Sequence, residues 1–94
     1  MQFDTDVYEK KSELLKVLAH PIRLCIVRGL MEHESCNVTY MKDCLNASQS
    51  TISQHLAKLK AANIVKSVRN GNEIYYQLTD HSLEKLIKDL FEEK

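Results

Sequence analysis

The 94-residue chain contains no Trp, one Pro and two Gly. So little glycine excludes collagen-like repeats, flexible glycine linkers and the glycine-rich loops that cradle phosphates. Net charge is missing as well, because thirteen Lys and Arg balance thirteen Asp and Glu. No apolar run approaches the roughly 18–20 residues a membrane-spanning helix needs. The opening MQFDTDVYEK is acidic and polar, unlike a secretory signal. A cytoplasmic protein without membrane contact is therefore expected. The three cysteines, Cys25, Cys36 and Cys44, are odd in number and form no C-x-x-C, which argues against a disulfide framework. Also absent are G-x-S-x-G, H-E-x-x-H, a P-loop and a dinucleotide fingerprint. An enzyme is not expected, and neither catalytic residues nor a cofactor are assigned.

What is present reads as one globular domain over residues 1–94, with 44% apolar and 28% charged residues. A chain this short buries only about 60–65% of its unfolded surface, so a partner chain would add to its core. A first helix is predicted over about 6–18, with Val7, Lys11, Leu14 and Leu18 on one stripe. Pro21 suits the first turn of a second helix, to about Glu32, with Ile22, Cys25, Ile26, Gly29 and Leu30 inward. Asn37 or Thr39 can cap a short third helix through Leu45. Asn46-Ala47 then forms a tight turn, and Ser48 caps a fourth helix over about 49–62, with Ile52, Leu56 and Leu59 facing the core.

After Asn63 the period changes to that of strands. The segment 64–78 reads as a β-hairpin turning at Asn70-Gly71-Asn72, with Ile74, Tyr76 and Leu78 on its inner face. Thr79 or Asp80 caps a last helix over about 80–93, with Leu83, Leu86, Ile87, Leu90 and Phe91 in helical spacing. The order α-α-α-α-β-β-α is mainly helical with a β-hairpin wing, a winged helix-turn-helix. A four-helix bundle with an incidental hairpin is the alternative, but it leaves the polar face of the fourth helix unexplained.

That face is unusual. A solvated helix commonly alternates Glu and Lys at four-residue spacing. Here Gln49, Ser50, Thr51, Ser53, Gln54 and His55 follow one another with no acid among them. Gln pairs with adenine in the major groove, and Ser and Thr serve several base edges or phosphates. Small Ala57 and Ala61 permit close approach. Ser50, Ser53 and Gln54 are the candidates for base edges. Gln49, Thr51, Lys58, Lys66, Arg69 and Asn70 are the candidates for phosphate or groove contacts. Charge agrees locally: between Thr39 and Leu78, Lys42, Lys58, Lys60, Lys66 and Arg69 outnumber Asp43 and Glu73, whereas both ends of the chain are net acidic.

The blocks LAHPIRLCIVRGL, SQSTISQHLAKLKAANIV and RNGNEIYYQL, in this order and spacing, resemble the ArsR/SmtB family of bacterial winged-helix repressors over about Leu14–Leu90. The resemblance implies a homodimer built from the first and last helices and a recognition helix at 49–62. It also implies repression of the chain's own operon at an imperfect inverted repeat in double-stranded DNA, relieved by a metal ion or another inducer. The amphipathic terminal helices argue for the dimer independently, since one small core has little room for both stripes. Two-fold pairing would place two recognition helices about one DNA turn apart. A winged-helix module that binds protein instead of DNA is the rival reading.

The family's metal positions are incomplete here. Asn37 and Thr39 stand where the resemblance implies a C-x-C pair. In the last helix Asp80 is followed by Ser82 where a His would be; His81 is one place off, and Glu92 and Glu93 lie near the end. No metal ligands are assigned, although His33, Cys36 and Cys44 could form an improvised set. His20 reads as structural, and His55 as packing or hydrogen-bonding.

Thiol chemistry is a second option, with Cys25 in the core, Cys44 half-buried and Cys36 exposed at a helix start that favours thiolate. From such a start Cys44 would lie about 12 Å along the helix, against the roughly 7 Å between Cα atoms that a disulfide tolerates. The candidate redox pair Cys36 and Cys44 would then need the helix to open or a polysulfide spacer. Regulation without any small ligand is the third option, and all three stay open at this stage.

Overall fold

The structure, a computed structural model, describes residues 1–92. The expected end of the last helix, at 93, lies outside them. The elements in chain order are α1 (Thr5–Leu18), α2 (Pro21–His33), β1 (Cys36–Asn37), α3 (Val38–Leu45), α4 (Gln49–Ala61), β2 (Val65–Asn70), β3 (Glu73–Leu78) and α5 (Glu84–Phe91). This is a mainly helical winged fold, with one small strand more than the sequence suggested.

Local chemistry sets most helix starts, because an exposed first turn leaves N–H groups without partners. The Asp4 carboxylate accepts from the Val7 N–H, and the Asn37 side chain accepts from the Tyr40 N–H at 2.9 Å. Asn37, not Thr39, is thus the cap of α3. His20 caps α2 through Nδ1, which accepts from the Ile22 N–H at 3.1 Å, with Pro21 in the first turn. Ser48 caps α4 by accepting from the Thr51 N–H at 3.1 Å.

The start of α5 departs from expectation. Asp80 spends its carboxylate on a local turn, accepting from both the N–H and the hydroxyl of Ser82. The Thr79 hydroxyl donates to the Asn63 carbonyl at 2.7 Å. Neither residue caps the helix, which begins only at Glu84 without a side-chain cap.

The sheet is antiparallel in the order β1-β3-β2. Cys36 pairs with Tyr76 and Asn37 with Tyr75, so β1 docks on the open edge of the hairpin. In the hairpin Asn70 pairs directly with Glu73, leaving Gly71-Asn72 as the two-residue loop. Gly71 takes φ 66°, a left-handed conformation that costs glycine little.

The core gathers one side of every helix. Ile26, Val27, Leu30, Met41, Ile52, Leu56, Leu59 and Ile87 are buried together with Ile64, Val65 and Leu78 from the hairpin. Two inward assignments need correction. Cys25 is exposed and Val27 takes the inner place, which rolls α2 relative to the expected face. Ile74 is exposed, as it pairs with Arg69 one step from the end of the hairpin. The terminal helices are only partly used. In α1 Leu18 alone is buried, with Leu14 and Val17 packed against the core and Val7 and Leu15 outside. In α5 Ile87 is buried, while Leu86 and Leu90 are exposed.

Candidate nucleic-acid interface

The positioning of α4 follows from its three buried side chains. Ile52, Leu56 and Leu59 are at most 1% exposed, and burial of one such side chain contributes about 1.5–3 kcal/mol. With that stripe fixed inward, the helix has one roll available. Gln49, Ser50, Ser53, Gln54, Ala57 and Lys58 then face solvent. The turn before it is set by Asn46, which ends α3 in the left-handed conformation at φ 51°, one that Asn tolerates better than most residues. No acidic residue occurs in α4, so its exposed face carries hydroxyls, amides and the late Lys58 and Lys60.

Not every polar group on this face is free. The Thr51 side chain is half-buried, and its hydroxyl accepts from Ser48 Oγ at 2.9 Å. Thr51 is therefore part of the cap that begins the helix. Lys60 Nζ donates to Ser67 Oγ at 2.9 Å, which ties the end of α4 to β2. The wing presents exposed Lys66, Arg69 and Asn70 beside the helix, and Arg69 Nε donates to the Gly71 carbonyl at 3.3 Å. This contact steadies the guanidinium at the hairpin tip.

A supporting cluster behind α4 escaped the sequence reading. Arg23 donates to the Val17 carbonyl at 3.2 Å and to His55 Nδ1 at 3.1 Å. The His20 and His55 rings lie 4.3 Å apart, centroid to centroid. Three helices thus meet at one guanidinium. Burial, then the neighbouring His20 and Arg23 charges, hold His55 below its ordinary pKa. His55 hydrogen-bonds as expected, and the HPIR string within the first block was the available signal.

The thiols differ from expectation. Cys36 is 7% exposed and sits on β1, one residue before the Asn37 cap of α3. Burial raises its pKa, and the nearby Cys44 raises it further. Cys44 is exposed rather than half-buried. His33 Nε2 lies 3.4 Å from the Tyr40 hydroxyl. Among the described residues, no group of three or more His, Cys, Asp or Glu is arranged to hold a metal ion; Glu93 lies outside them. No described helix is long and apolar enough to cross a membrane.

Comparison with known proteins gives a consistent picture. The family model for bacterial regulatory proteins of the arsR family matches residues 20–67. The transcriptional repressor PagR of Bacillus anthracis is 45% identical over 80 residues, covering 85% of this chain and 80% of PagR. Its crystal structure superposes with a TM-score of 0.81 at 42% identity, covering 93% of this chain and 99% of that one. The repressor SmtB of Mycobacterium tuberculosis (strain ATCC 25618 / H37Rv) is 40% identical over 84 residues, 89% of this chain but 62% of SmtB. HlyU from Vibrio cholerae N16961 superposes with a TM-score of 0.84 at 29% identity, covering 93% and 94% of the two chains.

Proposed function

The chain belongs to the arsR family of bacterial regulatory proteins, and on that premise we propose that it is a homodimeric repressor occupying an imperfect inverted repeat ahead of its own operon. The observation that carries this reading is the acid-free face of α4, held outward by Ile52, Leu56 and Leu59 and flanked by the basic wing. Ser50, Ser53 and Gln54 occupy the first turns of that helix, where a recognition helix meets base edges. Gln49, Lys58, Lys66, Arg69 and Asn70 surround them as contacts to phosphate or groove, and Thr51 holds the helix start between them. Phosphate contacts supply sequence-independent affinity, and base contacts the discrimination.

Two copies explain what one leaves bare. Val7 and Leu15 on α1 are 48% and 56% exposed, and Leu86 and Leu90 on α5 are 44% and 61% exposed. Pairing of these helices with a second copy would cover them and set two α4 helices about 34–36 Å apart, one turn of duplex. As a regulator of DNA the protein acts in the cytoplasm. Light scattering with a footprint on the DNA upstream of its own gene tests this reading. The expected result is two chains per duplex and two protected half-sites. A monomer that protects nothing would overturn it in favour of a protein-binding module.

A further inference from the structure

Three thiols left over by the DNA-binding face meet at one place. Cys25 from α2, Cys36 from β1 and Cys44 from α3 line a single open cavity of about 250 Å³. Leu30 and Met41 contribute apolar wall, and Arg28, Glu32 and His33 line the rest with polar and charged groups. A dry apolar cavity of about 150 Å³ already holds benzene, so this one has room for a substituted ring. Gly29 also lines it, and a Cβ built there would meet nothing within 4 Å, so this side of α2 leaves space.

The three sulfurs are not equivalent. Cys36 is buried and its raised pKa keeps it a thiol at neutral pH. Cys44 is exposed, and the Tyr40 phenol, which lines the same cavity, is held above its ordinary pKa chiefly by the neighbouring Cys44. The phenol is therefore a proton-bearing donor. It lines the same open cavity as a reachable sulfur, with His33 Nε2 3.4 Å from its oxygen. A polar donor beside a nucleophile assists addition to a conjugated carbonyl, since negative charge develops on the carbonyl oxygen.

We propose that this cavity captures a small flat carbon electrophile of the quinone class, with Cys44 as the attacking thiol, and that the adduct disturbs α3 and weakens DNA binding. The last step rests on the reading of the chain as a repressor. In the reaction the Cys44 thiolate forms a C–S bond to a ring carbon. The C=C electron pair moves onto the conjugated carbonyl oxygen, which takes up the proton the thiol gave up. The hydrogen on the attacked carbon then shifts through solvent to the second carbonyl oxygen, leaving a thioether-substituted hydroquinone. The quinone is reduced as the C–S bond forms, so no further oxidant or reductant is needed. Because α3 carries Cys44 and passes through Asn46 and Ala47 directly into α4, bulk at Cys44 bears on the helix-turn-helix itself.

The test uses the reduced protein and substoichiometric 1,4-benzoquinone, with peptide mass mapping over time and fluorescence anisotropy on upstream DNA. Cys44 is expected to gain the adduct about tenfold faster than Cys25, and faster in the native than in the urea-unfolded chain. Tyr40→Phe should slow that addition, and Cys44→Ser should keep operator affinity in the presence of quinone. Equal rates at Cys25 and Cys44, or a native rate no faster than the unfolded one, would overturn the capture site. An adduct on Cys44 that leaves operator affinity unchanged would overturn the coupling to DNA. If the untreated protein binds no duplex while Cys44 still reacts preferentially, the capture site stands and the repressor reading fails.

Discussion

Arg23 Nε donates to Nδ1 of His55 across 3.1 Å and thereby joins α2 to α4. The bond needs a neutral imidazole, because a protonated ring has no acceptor nitrogen. With the tilted His20 ring 4.3 Å away, added charge on His55 meets both His20 and Arg23. This tie between α2 and α4 is therefore coupled to the protonation of one residue.

Stability should accordingly depend on pH in a defined direction. His55 is held below its ordinary value of 6.5 in the folded chain. Between the two values the unfolded chain binds more protons, so stability rises with pH there. The contribution is complete above pH 6.5 and is lost as pH falls below it. Urea midpoints of wild type and His55→Gln at pH 7.5 and 5.5 check this. Wild type should lose more on acidification than the variant, which keeps an acceptor but does not titrate.

Gln54→Ala should cost about 1–3 kcal/mol of operator affinity while leaving binding to random duplex nearly unchanged. Titrations on both duplexes measure the difference. Equal loss on both would move Gln54 from base readout to general attachment.

Arg69→Ala should weaken every duplex alike and lower the slope of log affinity against log salt by about 1. Its guanidinium sits at the wing tip, steadied by the Gly71 carbonyl. A loss confined to the operator would reassign it to base contact.

Ile52→Ala should destabilise the fold by about 2–5 kcal/mol, since Ile52 is fully buried under α4. Chemical denaturation reads this directly, and DNA affinity should fall with it as the helix loses its fixed roll.

What was legible in the sequence was what short stretches of chain decide. Ser48 and the Ile52–Leu56–Leu59 stripe placed α4 nearly to the residue, and Asn-Gly placed the hairpin. What was not legible depends on distant partners. β1 is two residues long, too short for a periodic signal, and exists because Cys36 and Asn37 meet Tyr76 and Tyr75. That pairing buries Cys36 and removes the exposed thiolate its position suggested. Cys25, Ile26 and Val27 are consecutive apolar residues, so the pattern allowed two rolls of α2, and packing selected the one that exposes Cys25. The late start of α5 came from competition, as Asp80 satisfied Ser82 locally instead of capping the helix. For the candidate interface, the polar face was readable, but the engagement of Thr51 with Ser48 and of Lys60 with Ser67 was not.

The most direct test of the central claim is fluorescence anisotropy of the reduced protein on its own upstream DNA and on a scrambled duplex, over a series of salt concentrations. A DNA-reading α4 flanked by a basic wing predicts tight operator binding that falls linearly on a log–log plot, with about 0.9 in slope per phosphate neutralised. It also predicts a clear preference over the scrambled duplex. Weak binding to both duplexes at every salt concentration would contradict it.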